Sequence, residues 1–205
     1  MIFESKTTLN LIGLMIRDVI LTFLILVFWK YINNLSITSN SILFDSASVL
    51  VGIFSGYIIC RFLHEWGHYF ATKYYGAVCH LYPISKFGKI FEYDMEKNNE
   101  KQFAALGWGG TFAHWLIMFL FLFLLDGNSY GNVAIQSGAI GYVVTASIIE
   151  LPVIIRHLFG EPSYEAYNFN RKFIITLDKS KTLKIGGIIG IVAIIISFFL
   201  LKNIL

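Results

Sequence analysis

The chain has 205 residues, 56% of them hydrophobic and 14% charged, with a net charge of +3 and a mean hydropathy of +0.66. Soluble domains carry about 25% charged residues, so this composition excludes an ordinary water-soluble globule and points to an integral membrane protein. The small positive charge is no signal for nucleic acid, and two cysteines, Cys60 and Cys79, make no disulfide framework.

No linker, internal repeat or low-complexity tract divides the chain, so residues 1–205 read as a single polytopic domain. The start MIFESKTTLN lacks the basic region, apolar stretch and small-residue cleavage site of a signal peptide. The first hydrophobic run is therefore expected to stay in the mature protein. A bilayer core about 30 Å thick needs about 20 apolar residues as a helix. Spans are predicted at about 9–31, 42–63, 103–125, 133–155 and 185–201 on that length criterion. The first contains the adjacent Arg17 and Asp18, a pair compatible with a span or with two turns lying along the interface. Cys60, inside the second, reads as a buried thiol.

Between the second and third spans comes GAVCHLYPISKFGKIFEYDMEKNNEKQ. VCHLYPI and KIFEY flank the turn-forming SKFG, which predicts a small β-hairpin over about 78–93 at the membrane surface. An irregular loop is the alternative, and EYDMEKNNEK reads as a solvated connector. The expected fold is an all-α membrane protein of about five transmembrane helices with one small β-hairpin.

With five spans, the amino terminus, the hairpin and the stretch after the fourth span share one side. That side carries Lys6, Lys73, Lys86, Lys89, Lys97, Lys101, Arg156, Arg171, Lys172, Lys179, Lys181 and Lys184. The other has little beyond Lys30 and Lys202. The bias predicts a multi-pass cell-membrane protein with its amino terminus in the cytoplasm.

HEWGH, His64 to His68, follows the apolar run SVLVGIFSGYIIC. On a helix, positions i and i+4 share a face, so His64 and His68 can bind one metal through imidazole nitrogens. Glu65 is rotated off that pair but can reach a water beside the metal. Neutral imidazoles suit zinc, and a carboxylate there can act as general base. Ionisable groups within spans are costly and usually functional. Trp66 reads as packing or an interface anchor, and Gly67 as a site for close approach of another segment.

FLHEWGHYFATKYYGAVCHLYPI resembles the metal-binding helix of the site-2 protease family of intramembrane zinc metalloproteases. The family carries HExxH in a span, then small and aromatic residues, a glycine and a membrane-associated β-hairpin. Gly76 would end the helix here. LGWGGTFAHW resembles the family's glycine pair followed four residues later by asparagine, with Gly109, Gly110 and His114 at that spacing. The resemblance implies a substrate- or oxyanion-binding role for His114; close helix packing by the glycines and a hydrogen-bonded histidine is the other reading.

Family members complete the metal site with an aspartate in a motif like NxxPxxxxDG. Asp126 in LLDG would lie at the far side of the bilayer from HEWGH, too distant for metal–ligand bonds of about 2 Å, and reads as a turn with Gly127. In IIELPVIIRHLFGEPSYE, Pro152 matches the family's proline, and His157 stands where the aspartate would fall. His157 is thus the expected third ligand, Glu150 its chief rival and Glu161 a distant third. The family's asparagine and DG pair are absent, which leaves the third ligand and proteolytic competence open.

The resemblance implies a Zn2+-dependent endopeptidase acting on membrane-protein or peptide substrates in the lipid bilayer. The alternative is a catalytically inactive adaptor or immunity factor that binds a membrane partner. A membrane-anchored peptidase for soluble substrates is a third option, but no sizeable extramembrane domain is evident to support it.

Overall fold

The computed structural model describes residues 2–39, 41–168 and 179–204, with side chains described for 8–39, 41–168 and 185–203. Arg171 and Lys172 of the basic side lie outside the described residues, and Lys6, Lys179, Lys181 and Lys184 are described by their backbone alone. Among the described residues there are five long helices: α1 (Ile2–Ser39), α2 (Ile42–Tyr74), α3 (Glu100–Leu124), α4 (Tyr130–Leu158) and α5 (Lys179–Ile204). Each contains a stretch long and apolar enough to cross a membrane. This is a multi-pass, membrane-embedded helical protein.

The helices outrun their apolar cores. From Ile42 to Tyr74 no proline interrupts α2, so it continues past Leu63 and carries HEWGH inside a regular helix. It ends where Gly76 adopts a φ of 68°, and Ala77 N–H returns to the Thr72 carbonyl. At the start of α3, the Asn99 side chain accepts from Gln102 N–H while the Gln102 side chain accepts from Asn99 N–H. Gln102 Nε2 also donates to the Tyr75 carbonyl at 3.1 Å, tying the end of α2 to the start of α3. At the opposite end, Asp126 lies in the α3–α4 turn, where it accepts from Asn128 N–H and Asn132 Nδ2. That is the turn expected from its sequence.

The interior is built around α2, which packs on α1, α3 and α4, with α5 resting on α4. Between α2 and α4 the backbones touch. A Cβ at Gly56 would lie 2.0 Å from the Ile135 carbonyl oxygen, and one at Gly138 would lie 2.1 Å from that of Ile53. Apolar side chains gain little from meeting each other in lipid, so close backbone approach over small residues supplies the packing.

Two strands, β1 (Cys79–Leu81) and β2 (Phe91–Tyr93), pair antiparallel with His80 opposite Glu92. Asp94 closes the following turn by accepting from Glu96 and Lys97 N–H. The Lys97 ammonium beside it holds its carboxyl below the usual carboxylate range. The loop between the strands lies along the helices. Arg17 Nη1 donates to the carbonyls of Ile84 (2.7 Å) and Lys86 (2.9 Å), and Arg61 Nη2 donates to that of Gly88. At 1.5 Å per residue, Arg61 sits about 20 Å from the end of α2. The expected hairpin is present, and the loop between its strands reaches along α1 and α2 as far as Arg17 and Arg61. Arg17 and Asp18 are accommodated within an unbroken α1. Asp18 is 4% exposed; it accepts from Arg17 Nε at 2.7 Å and from Trp66 Nε1 at 3.0 Å.

Candidate functional site

The α2 register puts His64 and His68 on one face, their Nε2 atoms 3.0 Å apart. From α4, Glu150 brings Oε1 to 3.2 Å from His64 Nε2 and 3.3 Å from His68 Nε2. Its other oxygen accepts from the Thr111 hydroxyl of α3 at 2.6 Å. Three helices thus converge on one point.

The partner of each outer nitrogen bears on the chemistry of the inner one. His68 Nδ1 lies 2.5 Å from the Leu106 carbonyl oxygen. A carbonyl can only accept, so Nδ1 carries the hydrogen and Nε2 of the neutral ring presents a lone pair. His64 Nδ1 lies 2.9 Å from His114 Nδ1. Either ring can donate across this contact, and where His64 does, its Nε2 is likewise a lone-pair donor. His114 is then an acceptor through Nδ1 and bears its own hydrogen on Nε2, which is buried with no partner among the described residues.

Two imidazole lone pairs and a carboxylate oxygen this close repel unless a cation, proton or metal, lies among them. A tetrahedral site with bonds of 2.0–2.1 Å separates its donor atoms by about 3.3 Å, and the three separations of 3.0, 3.2 and 3.3 Å fit that spacing. His64, His114 and Glu150 also place donor atoms within 4.8 Å of one another. That set is looser, and His114 Nδ1 is already engaged by His64.

The glycines of α2 and α3 make room for this arrangement. A Cβ at Gly110 would stand 2.2 Å from Cε1 of His68, and one at Gly67 would stand 2.4 Å from the Gly109 carbonyl oxygen. Both the glycine pair and Gly67 therefore serve close helix packing directly at HEWGH.

Glu65 is half-buried. It lines a cleft of about 420 Å³ together with His68, Glu150, Phe91, Tyr93, Phe103, Trp108 and His157. Burial pushes the Tyr93 hydroxyl up to about 12, so it keeps its proton at neutral pH.

Of the residues expected from sequence, the structure brings His64, Glu65 and His68 together around Glu150. His157 lies apart from that convergence. Because α4 continues through Pro152 to Leu158, His157 stands two turns, about 10 Å along the axis, beyond Glu150. It faces the cleft wall with Nδ1 3.2 Å from the Glu161 carbonyl oxygen. Glu161 pairs with Arg156 at 2.5 and 3.0 Å. His114, expected to touch substrate, is fully buried behind His64 and is not among the cleft's lining residues. Thr111 and the Leu106 carbonyl were not anticipated. Thr111 lies three residues before His114 on α3, a spacing that could have drawn attention to it.

Compared with family models, with curated proteins and with solved structures, the chain gives no match in any of the three.

Proposed function

We propose that the chain is an intramembrane zinc metalloprotease of the site-2 protease kind, hydrolysing peptide bonds in or beside the spans of membrane-protein substrates. The observation that carries this reading is the convergence of His64 Nε2, His68 Nε2 and Glu150 Oε1 at 3.0–3.3 Å beside Glu65. His64, His68 and Glu150 would hold the zinc, whose chemistry when bound is to polarise a carbonyl and lower the pKa of water. Glu65 takes a proton from the attacking water as its oxygen bonds to the scissile carbonyl carbon. It then returns that proton to the leaving amine as the C–N bond breaks. A helical substrate must unwind locally to expose that carbonyl. The apolar walls and the hairpin, whose Phe91 and Tyr93 line the cleft, receive the extended segment. The amino terminus and hairpin face the cytoplasm of a cell membrane, as the basic bias implies.

The test compares wild type with Glu65→Gln in native membranes, by metal analysis and fragment proteomics. About one zinc per chain is expected in both, on the precedent of single-zinc HExxH sites, with substrate fragments in the wild type only. Full zinc in both with identical fragment patterns would overturn proteolysis in favour of an inactive, partner-binding adaptor.

A further inference from the structure

The glycines beside the cluster divide into two kinds. At Gly67, Gly109 and Gly110 a Cβ would lie 2.4, 2.4 and 2.2 Å from a neighbouring atom, so packing demands their smallness. At Gly107 a Cβ would meet nothing within 4 Å. Glycine is the poorest helix former after proline, and neither packing nor a turn accounts for it in the middle of α3.

Its position offers a reason. Gly107 lines the cleft with Glu65, His68 and Glu150. It lies four residues, about 6 Å along the helix, from Thr111, whose hydroxyl holds Glu150. Ala104, one turn further along the same face, is also small and also lines the cleft. On the opposing helix the cleft is bounded by Val153 and Ile154, one turn beyond Glu150. The wall of α3 is thus kept low opposite an aliphatic wall, next to the converged donors.

We infer that Gly107 is the specificity-determining residue of this cleft: its missing side chain leaves the seat for a large apolar side chain of an extended peptide. The inference rests on the cleft being the substrate site of the proposed protease. Of the cleft's lining residues, those one turn from Gly107 or Glu150 along the two helices, Ala104, Val153 and Ile154, are apolar, which favours leucine and phenylalanine there over charged side chains. A side chain at position 107 would fill the same space from the protein's side.

The test uses full-length protein carrying Glu65→Gln, so that peptides stay intact, and the variants Gly107→Ala and Gly107→Leu in that background. The probe is a fluorescent, extended valine–serine host peptide in detergent micelles, with one central position as Ala, Leu or Phe. With Gly107, the Leu and Phe peptides should bind about tenfold tighter than the Ala peptide, the scale set by filling an apolar pocket. In Gly107→Leu this preference should collapse to about twofold or less, with Gly107→Ala in between. An undiminished preference in Gly107→Leu, or none with Gly107, overturns the inference. If Gly107→Leu loses zinc or thermal stability, Gly107→Ala decides alone, since its Cβ meets nothing in the fold. Parallel incubation with the Glu65 protein separates the two readings. A Gly107-dependent preference without cleavage leaves the seat intact and refutes proteolysis. Cleavage with a preference indifferent to position 107 does the reverse.

Discussion

Glu150 divides its carboxylate between two tasks. Oε1 faces the Nε2 atoms of His64 and His68, while Oε2 is held by the Thr111 hydroxyl. If the proposed zinc site is correct, Glu150→Ala should cost far more zinc affinity than His157→Ala, and Thr111→Val should cost about 10–100-fold, the usual range for an outer hydrogen bond to a ligand. Metal titration of the purified variants checks the order, and a larger loss from His157→Ala would reverse the assignment. The two histidines were legible in the sequence because an i, i+4 pair shares a face in any helix, whatever packs against it. Which of Glu150 and His157 converges on them was not. It depends on whether α4 breaks at Pro152, and the helix runs on to Leu158. His114 was placed correctly beside the motif, but its facing depends on the rotation of α3, which local spacing does not record.

At the scale of elements, the five helices were legible because apolar length alone marks a span. Their ends were partly so: α2 stops at Gly76 as expected, with that glycine in the left-handed region, whereas α4 runs past its expected end to Leu158. The hairpin was legible from SKFG between two strand-like runs, whereas its reach to Arg61 depends on long-range hydrogen bonds to its loop carbonyls. The α2–α3 contact yields a sharp expectation. Gly110→Ala would push a Cβ to 2.2 Å from His68 Cε1, so it should destabilise by about 1–3 kcal/mol, as overpacking does. It should also lower zinc affinity by turning His68 off the Leu106 carbonyl. Thermal unfolding in detergent and metal content, measured on the same preparation, check the two effects together.

At the scale of the whole molecule, five spans put the hairpin and the carboxyl end on opposite faces of the membrane. Single cysteines at Asn98 and Asn203, with Cys60 and Cys79 replaced by alanine, should report this in intact cells. A membrane-impermeant thiol reagent added outside should label position 203 and spare position 98; the opposite pattern would invert the orientation drawn from the basic bias. Which helices touch was not legible, because glycines such as Gly56 and Gly138 announce close contact without naming a partner.

Arg17 and Asp18 lie about ten residues into the first span, and their charges are met by Trp66 and by the carbonyls of Ile84 and Lys86. Those groups leave the ribosome long after α1. A nascent α1 released into lipid by itself would have only the Arg17–Asp18 pair to offset charges that cost up to about 3 kcal/mol each in membrane insertion. Biogenesis must therefore hold the first span at the translocon, or leave it shallow, until the hairpin is synthesised, and a chain truncated before Ile84 should insert its first segment poorly.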